Sequence, residues 1–240
     1  MQVDVAHREI GLKFVYYGPA LSWKTTNLQA LHRVLPDDST GRLMSLETRD
    51  DRTLFFDLLP LRVETASGLK IKLKLFTVPG QVIHDATRRL VLQAADGVAF
   101  IADSRVSEIE SNAAAFQNLA ENLRANGLDA RTIPLVIQFN KRDLPDIRSD
   151  AEIGELSRRG REPVFKAVAT EGKGVLETFF GMLQLTWAHL QTQHQFEQRF
   201  GVEPRALLLR LASQLGLPKG LLRGLDEGLA APPRPGGARP

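Results

Sequence analysis

Residues Gly18 to Thr26, Gly-Pro-Ala-Leu-Ser-Trp-Lys-Thr-Thr, have the spacing of a phosphate-binding loop, with Gly18, Lys24 and Thr25 on pattern. Such a loop aims bare backbone N–H groups and the positive end of a helix at phosphates. Lys24 would add a point charge at the terminal phosphates, and the Thr25 hydroxyl would take a magnesium position. Gly18, Pro19, Ala20, Leu21, Ser22, Trp23, Lys24, Thr25 and Thr26 are therefore candidate phosphate contacts. Trp23 stands where the pattern calls for its second glycine. If the loop needs positive φ there, a bulky residue costs on the order of 1 to 3 kcal/mol. Charged to binding, that cost is a roughly tenfold to hundredfold loss of affinity. Ala20 is a milder change, one methyl near the terminal phosphate. Taken alone, the segment also reads as an ordinary strand-to-helix turn with a threonine-rich start.

A second constellation decides between these readings. Phe139-Asn140-Lys141-Arg142-Asp143 follows the apolar run Ile133 to Ile137, broken only by Pro134, as the end of a buried parallel strand would. The Asp143 carboxylate can accept two hydrogens from a purine's N1–H and exocyclic amine, which guanine offers and adenine does not. Asn140 can brace the loop and the base edge, and the alkyl stem of Lys141 can cover the ring. A third element, Thr77-Val78-Pro79-Gly80-Gln81, would bring the Gly80 N–H to a γ-phosphate and Gln81 to the water that attacks it.

The elements that must position these residues are legible in the hydrophobic pattern. Ile10, Leu12, Phe14 and Tyr16 alternate along a strand before the loop, and Leu28, Leu31 and Leu35 recur at helical spacing after it. Leu69, Ile71, Leu73 and Leu75 alternate with lysines in a half-exposed strand that pairs with 58 to 65 across Ser67-Gly68, giving an antiparallel edge. Val98 to Ala102 and Val164 to Ala169 read as strands, and Ile109 to Leu123 and Val175 to Leu190 as helices. The order predicts an α/β fold, a mostly parallel sheet with helices on both faces.

At these elements the chain resembles the bacterial Ras-like small GTPases of the MglA type, the gliding-motility and polarity switches. The likeness covers most of residues 8 to 190. It is carried by Tyr16 to Pro19, Lys24 to Gln29, Arg52 to Asp57, Thr77 to Gln81, Ala86 to Leu90, Asn140 to Pro145 and Ala167 to Gly174. The resemblance implies a Ras-like fold binding GTP or GDP with Mg2+. It implies Thr53 as the first-switch threonine that reaches magnesium and γ-phosphate. It also implies Arg52 as an arginine swung in from the same segment against transition-state charge, beside Gln81 in catalysis. Val168 and Ala169 would line the base, with the Ala169 N–H on the guanine carbonyl oxygen. Thr77 stands where most Ras-like proteins have a magnesium-holding aspartate, a substitution the MglA group shares. Partners implied are a roadblock-type, MglB-like activating protein, with polarity or motility effectors at the 43 to 60 and 80 to 95 stretches. A cytoplasmic protein, found at a cell pole in the family's manner, is the matching location. Trp23 departs from family and superfamily alike, which keeps open a second reading as a pseudo-GTPase scaffold with impaired nucleotide binding.

Composition agrees. A chain of 240 residues, 43% hydrophobic, buries a sizeable core without staples. The absence of cysteine rules out disulfides and thiolate metal sites. No apolar run is long enough for a signal or a transmembrane segment. His7, His32, His84, His189 and His194 lack metal-ligand spacing, and no serine-hydrolase triad is visible. Residues 201 to 240 hold six basic and three acidic side chains, so the rest of the chain nets zero and nothing suggests nucleic acid. The expected division is a GTPase domain over 1–200, an amphipathic helical extension over 201–228 and a disordered tail over 229–240. The leucines of the extension demand a surface, either the protein's own, a partner's or an interfacial membrane.

Overall fold

The computed structural model describes residues 1–4, 6–46, 56–64, 68–80, 84–194 and 204–215. Arg52, Thr53 and Gln81 lie outside the described residues, as does everything after 215. Among the described residues eight strands form one sheet: β1 (Gln2–Asp4), β2 (Glu9–Tyr17), β3 (Met44–Leu46), β4 (Phe56–Glu64), β5 (Lys70–Thr77), β6 (Gly97–Asp103), β7 (Leu135–Asn140) and β8 (Val164–Lys166). Their order is β3-β4-β5-β2-β6-β7-β8, with β1 paired to β2. From β5 through β8 every pairing is parallel. The expected antiparallel partner of β5 is β4, in register from Leu58 opposite Phe76 to Glu64 opposite Lys70. Two three-residue strands, β1 and β3, add short antiparallel pairings that the sequence pattern does not signal.

The helices are α1 (Lys24–Val34), α2 (Asp85–Leu92), α3 (Ile109–Ala125), α4 (Asp150–Arg159), α5 (Val175–His194) and α6 (Pro204–Gln214). They follow from the two-residue period of the central strand, because successive side chains of β2 point to opposite faces. Ile10, Leu12, Phe14 and Tyr16 face one side and pack with Leu28 and Leu31 of α1, Phe179, Leu183 and Trp187 of α5, and Leu208 and Ala212 of α6. Val15 and Tyr17 face the other and pack with Leu92 of α2, Leu119 and Leu123 of α3, and Ile153 of α4. Strand β6 is buried along its whole length, as a strand covered on both faces must be.

Three apolar side chains of the extension turn inward, while Leu209 is exposed. Leu208, Ala212 and Leu215 are fully buried in the protein's own core. Arg210 Nε and Gln214 Nε2 both donate to the Glu64 carbonyl at the end of β4, at 3.2 and 2.8 Å. Burial of two leucines stabilises by roughly 3 to 6 kcal/mol before ordering costs.

Candidate functional site

The C-terminal ends of the parallel strands converge, and every described candidate lies there, as ligand sites in open α/β sheets do. The loop leaves β2 at Gly18, whose φ is 151°, and a Cβ there would meet the Ile101 carbonyl oxygen at 2.2 Å. Leu21 and Trp23 then adopt φ of 58° and 65°. Trp23 is the residue before α1, in the left-handed conformation with ψ 41°, so the loop does demand positive φ at that position. Its carbonyl accepts from the Asn27 backbone N–H at 3.2 Å and from Asn27 Nδ2 at 2.9 Å. Asn27 Oδ1 in turn accepts from Gln138 Nε2 at 2.9 Å, whose amide also reaches Thr178 Oγ1 at 2.8 Å. The left-handed backbone at Trp23 is thus tied directly to α1 and, through Asn27 and Gln138, to β7 and α5. A cost present both before and after binding would cancel from affinity, so the expected tenfold to hundredfold loss holds only where binding bears the strain.

Lys24 is folded into the loop and is 7% exposed. Its Nζ donates to the carbonyls of Pro19 at 2.7 Å and Gly18 at 3.2 Å. Burial first, and then the positive charge of Arg88, push its pKa down to about 7 against an opposing pull from Asp57. A buried cation whose nearest hydrogen-bond acceptors are neutral carbonyls is a site short of an anion, the electrostatic demand that a phosphate meets.

Below Lys24 lies a cluster of hard oxygen donors. Asp57, 9% exposed, accepts from Thr25 Oγ1 at 2.5 Å, Ser45 Oγ at 2.7 Å and Thr77 Oγ1 at 2.8 Å. The Thr77 hydroxyl also accepts from the Asp57 backbone N–H at 2.9 Å. A carboxylate bonded to the threonine expected at magnesium is the donor chemistry that Mg2+ takes, so these residues fit the ion. Sequence reasoning missed Asp57 as a site residue, although the motif Arg52 to Asp57 was noted. Its only local signal was one acidic residue in the run from Phe56 to Leu61, whose other residues are all apolar.

The second-switch glycine also reaches the loop. A Cβ on Gly80 would come within 2.3 Å of Ala20 Cα, so only glycine permits this approach. Arg88, 1% exposed, fixes the segment by donating from Nε to the Pro79 carbonyl at 2.9 Å and from its terminal nitrogens to the Gly80 carbonyl and, at 2.7 Å, to Asn118 Oδ1.

The base motif is joined to the loop by Asn140. Its Nδ2 donates to the Ser22 carbonyl at 3.1 Å, and its Oδ1 accepts from the Ala169 N–H at 3.0 Å. The Ala169 N–H, expected on a guanine oxygen, is here paired with Asn140, since a fully buried N–H needs an acceptor. Val168 is buried beside it and Asp143 is exposed. Lys141, with φ 65°, donates to Asp103 Oδ2 at 2.6 Å and lies 4.9 Å from the centre of the Trp23 ring. Burial pushes the Asp103 carboxyl up, but hydrogen bonds from Arg105 and Lys141 outweigh it and hold the group below the usual range. Thr26 is half-buried and Leu21 is 79% exposed at the rim of the loop. Among the described residues there is no group of three or more histidine, cysteine, aspartate or glutamate side chains that could hold a metal, which leaves threonine hydroxyls and Asp57 as the oxygen set.

No protein-family model matches the sequence. The chain is 43% identical over 189 residues to the mutual gliding-motility protein MglA of Myxococcus xanthus (strain DK1622), covering 79% of this chain and 97% of the relative. The chain belongs to the MglA-type small GTPases. MglA membership accounts for the Ras-like topology and for the agreement between the three motifs and one site. The relative is matched almost completely by 79% of this chain, so about a fifth lies beyond the shared length. Among the described residues no helix is long and apolar enough to cross a membrane.

Proposed function

We propose that this chain is a guanine-nucleotide switch that binds GTP and GDP with Mg2+, hydrolyses GTP to GDP and regulates polarity or gliding motility. The observation that carries the reading is Asn140, whose one amide ties the loop at Ser22 to the base loop at Ala169. That tie supports the reading, because it would hold a phosphate site and a guanine site at a fixed separation.

In this reading Lys24 neutralises the terminal phosphates, Gly18 allows the chain to pass close beneath them, and Asp143 selects guanine. Thr25, Thr53 and Asp57 would hold magnesium, which when bound supplies charge to the phosphate oxygens. Gln81 is proposed to orient the attacking water, and Arg52 to neutralise charge spreading onto the phosphoryl oxygens as the leaving bond breaks. A roadblock-type activating protein and polarity effectors are proposed to dock on the two switch stretches. Supporting this are Met44 and Leu90 on those stretches, apolar side chains 38% and 51% exposed.

Titration calorimetry of nucleotide-free protein with GDP, GTP and ATP tests the reading. GDP and GTP are expected to bind with magnesium, ATP at least a hundredfold more weakly, and GTP to be converted slowly to GDP and phosphate. Absence of GDP binding would overturn the switch. Binding with no turnover, alone or with a roadblock-type protein, would remove the enzyme and leave the binding.

A further inference from the structure

Trp23 brings to this site a feature that the phosphate-loop pattern lacks, an aromatic face. Trp23 is partly buried and keeps some exposure, on a loop whose neighbours Ser22 and Lys24 are buried. It lies at the seam between the phosphate loop and the base motif, 4.9 Å from Lys141 Nζ. That cation is itself anchored, 2.6 Å from Asp103, which is 2% exposed and held a second time by Arg105 at 2.7 Å. The backbone on either side is fixed as well, through Asn27 at the Trp23 carbonyl and Asn140 at the Ser22 carbonyl. The ring is therefore held in place, and it adjoins the one lysine whose stem is expected to cover a purine.

We infer that the Trp23 indole forms, with the Lys141 stem, an aromatic contact surface for the nucleoside part of the ligand, so that this chain binds a guanine nucleotide partly by stacking. The inference rests on the nucleotide-binding reading above. Stacking of a base on an aromatic side chain is worth roughly fivefold to a hundredfold in affinity, and any aromatic ring can provide it. A nucleoside laid between the loop and Asp143 crosses this seam, and the indole is the apolar surface it meets there.

The test compares GDP with inorganic pyrophosphate on the native protein, Trp23→Phe and Trp23→Ala. GDP is expected to bind Trp23→Ala about tenfold more weakly and Trp23→Phe within about threefold of native, while pyrophosphate binds all three alike. The second readout is native fluorescence, since the other tryptophan, Trp187, is fully buried in the core. Saturating GDP is expected to change the emission of the native protein and leave that of Trp23→Phe unchanged. GDP binding Trp23→Ala as tightly as native, or pyrophosphate losing as much as GDP, overturns the stacking role. Unaltered native emission at saturating GDP overturns it as well. GDP binding to none of the three proteins overturns the nucleotide-site reading itself and takes this inference with it.

Discussion

Replacing Trp23 by alanine and by glycine separates backbone strain from side-chain contact. Both variants lose the indole and its contact with Lys141, so those terms cancel between them. Alanine keeps a Cβ at φ 65° and glycine does not. The left-handed conformation costs an L-residue roughly 1 to 2 kcal/mol. Glycine returns about 0.4 to 1 kcal/mol of that through its freer unfolded chain. The difference leaves Trp23→Gly more stable than Trp23→Ala by roughly 1 kcal/mol, which for a chain of this size is about 2 to 4 °C in melting temperature. Calorimetric melting of the two ligand-free proteins measures it. Unfolded-state entropy acting alone would order them the other way, so an alanine variant as stable as glycine, or more so, would refute the strain. The same pair tests where the cost falls. Because the conformation is held by Asn27, Gln138 and Thr178 without a ligand, the two variants should bind GDP within about twofold of each other. A tenfold preference for the glycine variant would show that binding, and not folding, bears the strain.

Other consequences are as direct. Bound phosphates favour charged Lys24, whose free pKa lies at about 7, so GDP affinity should fall by up to about tenfold per pH unit above 7. Calorimetry in buffers of different ionisation enthalpy should show proton uptake on binding at pH 8, and uptake should vanish in Lys24→Met. In the free protein the sign is opposite: a lowered lysine pKa costs stability fully below about pH 7 and progressively less as pH rises toward 10.5, so the melting temperature should gain from pH 7 to 9 relative to Lys24→Met. Asp57→Ala leaves the Thr25, Ser45 and Thr77 hydroxyls without their shared acceptor and should cost roughly 2 to 4 kcal/mol in urea unfolding. Asp57→Asn should spare more of the stability yet blunt the gain in GDP affinity that magnesium gives the native protein. Truncation after residue 203 exposes the surface covered by Leu208, Ala212 and Leu215 and should lower stability, by less than the roughly 3 to 6 kcal/mol of the burial term because α6 no longer has to be ordered. An unchanged melting temperature would show that α6 does not dock.

What was legible in the sequence was whatever is local and type-specific. The loop, the Asn140 to Asp143 motif and the Thr77 to Gly80 turn announce their chemistry within a few residues; alternation placed β2 and β5, and a short apolar run placed β6. The end of β2 and the start of α1 bracket the loop as expected. Less legible was what depends on contacts between distant elements. Asp57 meets Thr77 through the expected β4–β5 pairing, but its contact with Thr25, 32 positions away on α1, is one that no local pattern encodes. Strand β7 runs to Asn140 and starts after Pro134, because a proline cannot donate to the ladder, so the expected 133 to 137 segment is shifted forward. Strand β8 ends at Lys166, where a short 3-10 turn over Ala169–Glu171 replaces the expected strand end. Helix α4 carries a local signal in the reciprocal capping box of Ser149 and Glu152, but only Ile153 of its side chains is buried, so its hydrophobic pattern is weak.

The docking of α6 also makes the carboxyl terminus a lever. Arg210 and Gln214 both grip the carbonyl of Glu64, and the same strand carries Asp57 near its other end, seven residues or about 23 Å away. Tension applied beyond Leu215 would reach the strand that carries Asp57 through Arg210 and Gln214, and α5 through the packed side chains of α6. A tether or bulky fusion at that terminus would load the nucleotide site mechanically, whereas a load on α4, beyond β7 across the sheet, would bypass this strand.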